Sequence, residues 1–192
     1  VRKVSITNDT NKDLSIEVVD GIAEILPAGI SNAEFKSISN LLSSWMDVGD
    51  LERDIAFYKL RSSTGDESEV VKVLNGNFLF SFKDGKLIKP IVDQELVFGH
   101  DNSKRKAFRL IDTSIEEIRK QEQVTVNKIP CGFIPVAQTL KGFEVIHINT
   151  VIGYTHDKDD LNAFMNKASK ESYIHQKEVE ALDLINELQD DV

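Results

Sequence analysis

Residues 131–154, CGFIPVAQTLKGFEVIHINTVIGY, decide the fold class. They hold two strand-like runs separated by a turn at Lys141-Gly142, and the second run, FEVIHINTVIGY, is the longest of its kind in the chain. Several shorter runs of this type lie in the first half of the sequence, and no helical patterns alternate with them. This order favours an antiparallel β-sandwich over a parallel α/β sheet.

The first half supplies the shorter strands. VRKVSITN and DLSIEVVD alternate apolar and polar residues on either side of the turn-forming residues 8–11, which predicts an antiparallel pair with Leu14, Ile16 and Val18 on one face. Further on, EVVKVL leads through Asn-Gly-Asn into FLFSF, whose phenylalanines should face one core. Asp84-Gly85 then predicts a two-residue hairpin turn into KLIKP.

A helical insertion over about residues 31–45 is predicted inside the long segment DGIAEILPAGISNAEFKSISNLLSSWMDV. Ser31 and Glu34 form a capping box, and Ile30 and Phe35 are placed as its hydrophobic staple. The end of this helix stays open, because SSWMDV suits a strand equally well. The apolar positions at helical spacing are Ile38, Leu42 and Trp45.

Further helices are predicted late in the chain. Thr113 and Glu116 repeat the capping pattern before IEEIRKQ, and Asp157 and Asp160 do so before DLNAFMNKAS. We therefore expect a mainly β protein with helices, of the α+β class, with a sandwich domain over residues 1–156 and a helical linker over residues 157–192. The apolar face expected for the linker comprises Leu161, Phe164, Met165, Ala168, Ile174, Ala181, Leu182, Ile185 and Leu188.

Composition excludes several classes of protein. The 192 residues are 41% hydrophobic and 29% charged, which suits a domain with a substantial core. The formal net charge of −9 argues against partners that are nucleic acids or anionic membranes. The basic cluster Lys104-Arg105-Lys106 is short, and we expect it to be a solvated loop. No apolar run approaches the roughly 20 residues that span a bilayer.

The single cysteine, Cys131, excludes an intrachain disulfide and fits a reducing compartment, so a cytoplasmic location is expected. Its place after Pro130 in an apolar run predicts a buried, unreactive thiol. The chain opens on Val1 without an initiator methionine, in a strand already under way, and we expect it to be an excised fragment.

The sequence lacks the common catalytic motifs. Neither GxGxxG nor GxxxxGK[ST] occurs, and there is no GxSxG nucleophile elbow. The four histidines lack the spacing of zinc ligands, and Cys131 has no partner cysteine. We therefore expect no catalytic residue, no metal ligand and no bound cofactor in this chain.

Three residues are candidates for contact with a sugar. Trp45 is the only tryptophan, and its ring could stack on the apolar face of a sugar, although packing in the core accounts for it as well. Asn32 and Lys36 could donate hydrogen bonds to hydroxyl groups, although polar residues on a capped helix need no such explanation.

Several segments of the chain resemble one enzyme family. They are LPAGISNAEFKSISNLLSSWMDV, FYKLRSS, NGNFLFSF, PIVDQELVFGHD, EQVTVNKIPCGFIPV and ALDLINELQDDV, and together they extend over nearly the whole sequence. They resemble the N-terminal region of oligo-β-glucan phosphorylases related to cellobiose phosphorylase, in glycoside hydrolase family 94 or a close relative.

The resemblance implies an antiparallel β-supersandwich and a helical linker that leads to an (α/α)-barrel catalytic domain beyond Val192. The reaction it implies is inverting phosphorolysis of a β-linked oligosaccharide, with inorganic phosphate as co-substrate and glucose 1-phosphate as product. The catalytic groups would lie in the barrel, so none is assigned here, and the fragment alone is expected to be inactive. The implied partners are the glucan, the chain's own downstream domain and a second copy in a homodimer. The alternative is a stand-alone carbohydrate-binding or structural β-sandwich module.

Overall fold

The computed structural model describes residues 1–61, 73–101 and 103–190. The strands within these ranges are β1 (Arg2–Thr7), β2 (Leu14–Ile22), β3 (Met46–Gly49), β4 (Ile55–Leu60), β5 (Gly76–Lys83), β6 (Lys86–Ile88), β7 (Gly132–Leu140) and β8 (Val145–Thr155). The helices are α1 (Asn32–Ser43), α2 (Glu95–Phe98), α3 (Arg109–Asp112), α4 (Ile115–Arg119), α5 (Lys158–Ala168) and α6 (Glu171–Asp190), with a 3₁₀ turn over Leu51–Arg53.

The strands form two antiparallel sheets. The larger has the order β1-β8-β5-β4-β3, with β6 paired to β5, and the smaller consists of β2 and β7. The predicted α+β class with antiparallel sheets is therefore confirmed. That these sheets belong to a β-supersandwich stays a prediction.

The two sheets share one apolar core. Ile148 and Leu79 of the larger sheet pack in the same cluster as Ile134 and Val136 of the smaller sheet, and Tyr58 completes the layer between them. Because side chains alternate along a strand, the neighbouring residues point to the two outer faces. Several of these outward-facing residues are apolar, Phe80 and Val151 on the larger sheet and Phe133 on the smaller sheet among them, so each outer face is buried only where other elements cover it.

Helices cover both outer faces. On the larger sheet, Phe80 and Val151 pack against Leu161 of α5 and Ile174 of α6. On the smaller sheet, Phe133 packs with residues of α2 and α4. The predicted helical region after residue 156 is thus confirmed, and its first half forms a layer on the sheet.

The predicted antiparallel pairing of the first two strands is wrong. β1 pairs with β8, and β2 pairs with β7, so the chain changes sheets between β1 and β2 and again between β7 and β8. The two connections bond to each other, since Asn8 N donates to Glu144 O at 2.9 Å and Phe143 N donates to Thr10 O at 3.0 Å. Polar residues at 8–11 therefore mark a crossover between sheets instead of a hairpin turn.

The Asp84-Gly85 hairpin is confirmed. Asp84 has φ 51° and Gly85 has φ 72°, as a type I′ turn requires, and β5 pairs with β6 around them. The phenylalanines of FLFSF share one core, and Phe80 lies between the other two with ring-centroid distances of 6.0 and 6.5 Å. Of the predicted run EVVKVL, residues 69–72 lie outside the described residues, and Val73 and Leu74 are not in a strand.

The predicted helix starts are confirmed in two cases and shifted in one. Ser31 and Glu34 form both hydrogen bonds of a capping box at the start of α1. Within SSWMDV the helix ends at Ser43, and β3 begins at Met46. Helix α5 follows Asp157 directly. The predicted capping pair Thr113 and Glu116 is wrong by one residue, because α4 is capped by Ser114 and Glu117. Thr113 instead ends α3 in an extended conformation.

Candidate functional site

An open, polar cleft of about 420 Å³ lies where three separate segments of the chain meet. One wall is the C-terminal half of α1, the second is the segment that contains α2 and the loop after it, and the third is the segment just before β7. The lining residues are Asn40, Ser43, Asp93, Gln94, Glu95, Phe98, Gly99, Asp101, Lys104, Asn127, Lys128 and Ile129.

Asp93 holds two of these walls together. Its side chain is only 4% exposed, and its carboxylate accepts hydrogen bonds from Glu95 N at 3.1 Å and Val124 N at 3.0 Å. Lys128 Nζ lies 3.6 Å from the same carboxylate. Because a buried carboxylate requires such partners, Asp93 has a structural role, and it fixes the start of α2 against the segment before β7.

Lys128 carries the positive charge at the centre of the cleft. Its Nζ lies 2.8 Å from Glu95 Oε1, which makes it a bridge between two carboxylates. Partial burial works against the ammonium ion, but the hydrogen bond to Glu95 and the charge of Asp93 outweigh it and raise the pKa of Lys128. The same hydrogen bond lowers the pKa of Glu95. The pair is therefore fully ionised near neutral pH.

Arg61 fastens the third wall to the helix. Its guanidinium donates to the carbonyl of Ser44, just after α1, and to the side-chain oxygen of Asn127. Asn127 has φ 61°, a left-handed conformation that asparagine tolerates better than most residues, and its N–H donates to Met46 O at 3.1 Å. The backbone of this wall is thus fixed against β3.

Gln94 lines the cleft, but the terminal nitrogen of its side chain is not accessible from it. Its Nε2 is enclosed by protein and has no hydrogen-bond partner among the described residues. Asn40 and Ser43 add further amide and hydroxyl groups along the α1 wall. A surface with both donors and acceptors is suited to a ligand with many hydroxyl groups, because each hydroxyl donates one hydrogen bond and accepts others.

The structure does not bring the three predicted sugar-binding residues together. Asn32 and Lys36 lie one turn apart on the exposed surface of the first half of α1. Trp45 lies beyond the other end of this helix, where it packs against the apolar cluster of Leu42 and Met46. None of the three lines the cleft. Sequence patterns missed Gln94 and Lys128 because no motif connects the segments that carry them.

Cys131 does not line the cleft. Cys131 is fully buried, burial raises the pKa of its thiol well above the ordinary value, and Sγ donates to Ile91 O at 3.4 Å. No group of three or more His, Cys, Asp or Glu side chains could hold a metal ion among the residues described. Within the same ranges, no helix is both long enough and apolar enough to cross a membrane.

A scan against protein-family models finds no family that matches the chain, and a search of curated proteins finds no match either.

Proposed function

We propose that this chain is the non-catalytic N-terminal part of an inverting phosphorylase that cleaves β-linked gluco-oligosaccharides with inorganic phosphate. The sandwich and the helices that follow it support the catalytic domain, and the polar cleft contacts part of the carbohydrate. A cytoplasmic location belongs to the same proposal. The whole enzyme would be a carbohydrate-active glycosyltransferase, and this chain alone would be inactive.

One observation carries the proposal. Three of the segments that resemble the phosphorylase family, residues 26–48, 90–101 and 122–136, are far apart in the sequence and meet around the cleft. Each supplies polar side chains to it: Asn40 from the first, Gln94 from the second and Lys128 from the third. Segments that share a family likeness and also share a surface are expected to serve a common function there.

The test of the proposal is phosphorolysis with and without the downstream sequence. The chain alone, and the same chain continued into whatever reading frame follows it, are each incubated with β-linked gluco-oligosaccharides and phosphate, and glucose 1-phosphate is measured. Product only from the longer protein supports the proposal. Product from the chain alone refutes the proposal that this chain is non-catalytic. Absence of product from both proteins refutes the phosphorylase assignment.

The second candidate function is a stand-alone carbohydrate-binding module, which the polar lining of the cleft favours. In that case the isolated chain binds β-gluco-oligosaccharides in an NMR titration, and the side-chain amide signals of Gln94 and Asn40 shift. Gln94→Ala should weaken binding, whereas Gln138→Ala, a half-buried glutamine on β7 outside the cleft, should not. Equal weakening by both variants, or no binding, excludes the module.

A further inference from the structure

A second pocket lies where the end of β8 meets the first two turns of α5, and most of its lining is aromatic or aliphatic. Its volume is about 220 Å³. At about 30 Å³ per water molecule in the liquid, this is room for about seven waters, or for one six-membered sugar ring. The lining residues are Phe78, Tyr154, Thr155, Asp160, Leu161 and Phe164. None of these lines the polar cleft, so the two sites are separate.

Tyr154 contributes a ring that is both exposed and held in place. The residue is 44% exposed. Asn75 Nδ2 donates to the Tyr154 hydroxyl at 2.7 Å, and His156 Nδ1 lies 3.2 Å from the same oxygen. The His156 ring also stands perpendicular to the tyrosine ring, at a centroid distance of 4.8 Å. A ring that is fixed before binding loses little conformational freedom when a ligand stacks on it.

Phe164 contributes a second ring, from α5. It is partly buried, and its ring lies at centroid distances of 5.9, 6.3 and 6.0 Å from those of Phe78, Phe80 and Tyr173. Phe78 itself is only 6% exposed and closes the base of the pocket. Gly153 leaves room for it, because a Cβ at that position would lie 2.5 Å from Phe78 Cζ. The second ring is therefore as well fixed as the first.

The polar groups of this pocket are hydroxyls and a carboxylate. Asp160 is exposed in the first turn of α5, and the described lining residues include neither lysine nor arginine. A carboxylate accepts hydrogen bonds from hydroxyl groups, whereas it repels an anion, and the net charge of −9 acts in the same direction. The pocket therefore fits a neutral ligand that has flat apolar faces and hydroxyl groups around its edge.

We propose that this pocket binds a β-glucopyranosyl unit. Every ring substituent of this sugar is equatorial, so both faces of the ring present C–H groups that stack on Tyr154 and Phe164. The hydroxyls lie around the edge, where one donates to the Asp160 carboxylate. An axial hydroxyl, as in galactose, would place a polar group against an aromatic ring and leave it without a hydrogen bond. The class of ligand rests on the proposed function, because the glucan of that reaction is built of these units.

Methyl β-glucoside and methyl β-galactoside are the probes, because they differ only in the orientation of one hydroxyl group. In NMR titrations of the chain, the glucoside should bind at least about fivefold more tightly than the galactoside. The backbone amide signals of Tyr154 and Thr155 should shift with the glucoside. The proposal is overturned if the glucoside shifts neither signal, or if the galactoside binds equally well.

This titration is read on the chain alone, so its result is separate from that of the phosphorolysis assay. Glucose 1-phosphate from the longer protein, with no shift at Tyr154, overturns this site and leaves the proposed function standing. A shift at Tyr154 with no product from the longer protein refutes the phosphorylase assignment and leaves the sugar site standing.

Two variants test the roles of the ring and the carboxylate. Tyr154→Ala removes the ring and should weaken glucoside binding at least about fivefold. Asp160→Asn keeps the shape and removes the charge, so it should weaken binding about threefold. Phe143→Ala removes another exposed ring, in the connection between β7 and β8, and should have no effect. Equal weakening by Tyr154→Ala and Phe143→Ala would overturn the proposal, and the wild-type titration decides it even if a variant fails to fold.

Discussion

Replacing Asn8 by aspartate should destabilise the fold by about 3 kcal/mol at pH 7. Asn8 is 1% exposed, and its Nδ2 donates to the carbonyls of Lys12 at 2.8 Å, Leu140 at 3.3 Å and Lys141 at 2.9 Å. Its Oδ1 accepts from Thr10 N at 3.1 Å and Thr10 Oγ1 at 2.8 Å. The amide thus fastens the two crossovers between the sheets to each other.

Aspartate keeps the size of the side chain and the oxygen that accepts from Thr10, but it replaces the donor with a second acceptor. Two N–H donations are lost at about 1 kcal/mol each, and desolvation of the unpaired Leu140 carbonyl adds about 1 kcal/mol or more. Burial and the surrounding carbonyl oxygens raise the pKa of the new carboxyl group above the ordinary 3.9 or so. In the protonated form the group can donate one bond again.

The sign of the pH dependence follows from this raised pKa. The folded variant holds its proton to a higher pH than the unfolded chain does. The free energy of unfolding of the variant therefore falls as pH rises from the pKa of the unfolded chain to that of the folded chain, and above the folded pKa it is constant. Urea unfolding followed by circular dichroism should therefore give a wild-type-minus-variant difference that is small near pH 4 and large at pH 7. Asn11→Asp, at an exposed position in the same crossover, is the matched control and should change stability by less than about 0.5 kcal/mol. A difference below about 1 kcal/mol at pH 7, or one independent of pH, refutes the role of the Asn8 amide.

Three other substitutions test the packing. Gly132→Ala places a methyl group 2.6 Å from Leu79 Cδ1 in the shared core, so a loss of about 1–3 kcal/mol is expected in urea unfolding. Tyr58→Phe removes the hydroxyl that donates to Cys131 O at 3.0 Å, and the buried carbonyl left behind should cost about 1–3 kcal/mol in the same assay. Gly85→Val puts a β-branched residue at φ 72° in the type I′ turn, and the melting temperature should fall by several degrees, equivalent to about 1–2 kcal/mol.

Local signals predicted local structure well. The capping box of α1 and the Asp84-Gly85 turn depend on residues within four positions of one another, and both are present. The shifted cap of α4 shows the limit of such signals, because TSIEE contains two overlapping pairs, Thr113 with Glu116 and Ser114 with Glu117. With the cap at Ser114 and Glu117, Ile115 and Ile118 are buried. The capping pattern alone does not show which of the two caps buries these side chains.

Strand pairing could not be predicted in the same way. β1 pairs with a strand about 140 residues later, and polar residues between two strand-like runs look the same whether the chain turns back in one sheet or passes to another. The cleft depends on tertiary structure in the same way, because Asn40, Gln94 and Lys128 come from three segments that only the fold brings together.

The last helix connects the fold to the proposed function. Ile174, near the start of α6, is buried against the sheet, whereas Leu182, Ile185 and Leu188 each expose more than half of their surface. Burial of such side chains yields about 25 cal/mol per Å², so a surface that covers this row would gain stability from it. Acidic residues flank the row, Asp183 and Glu187 among them, which favours an apolar partner surface with basic residues at its edge. Under the proposed function, we expect this row of α6 to pack against the catalytic domain.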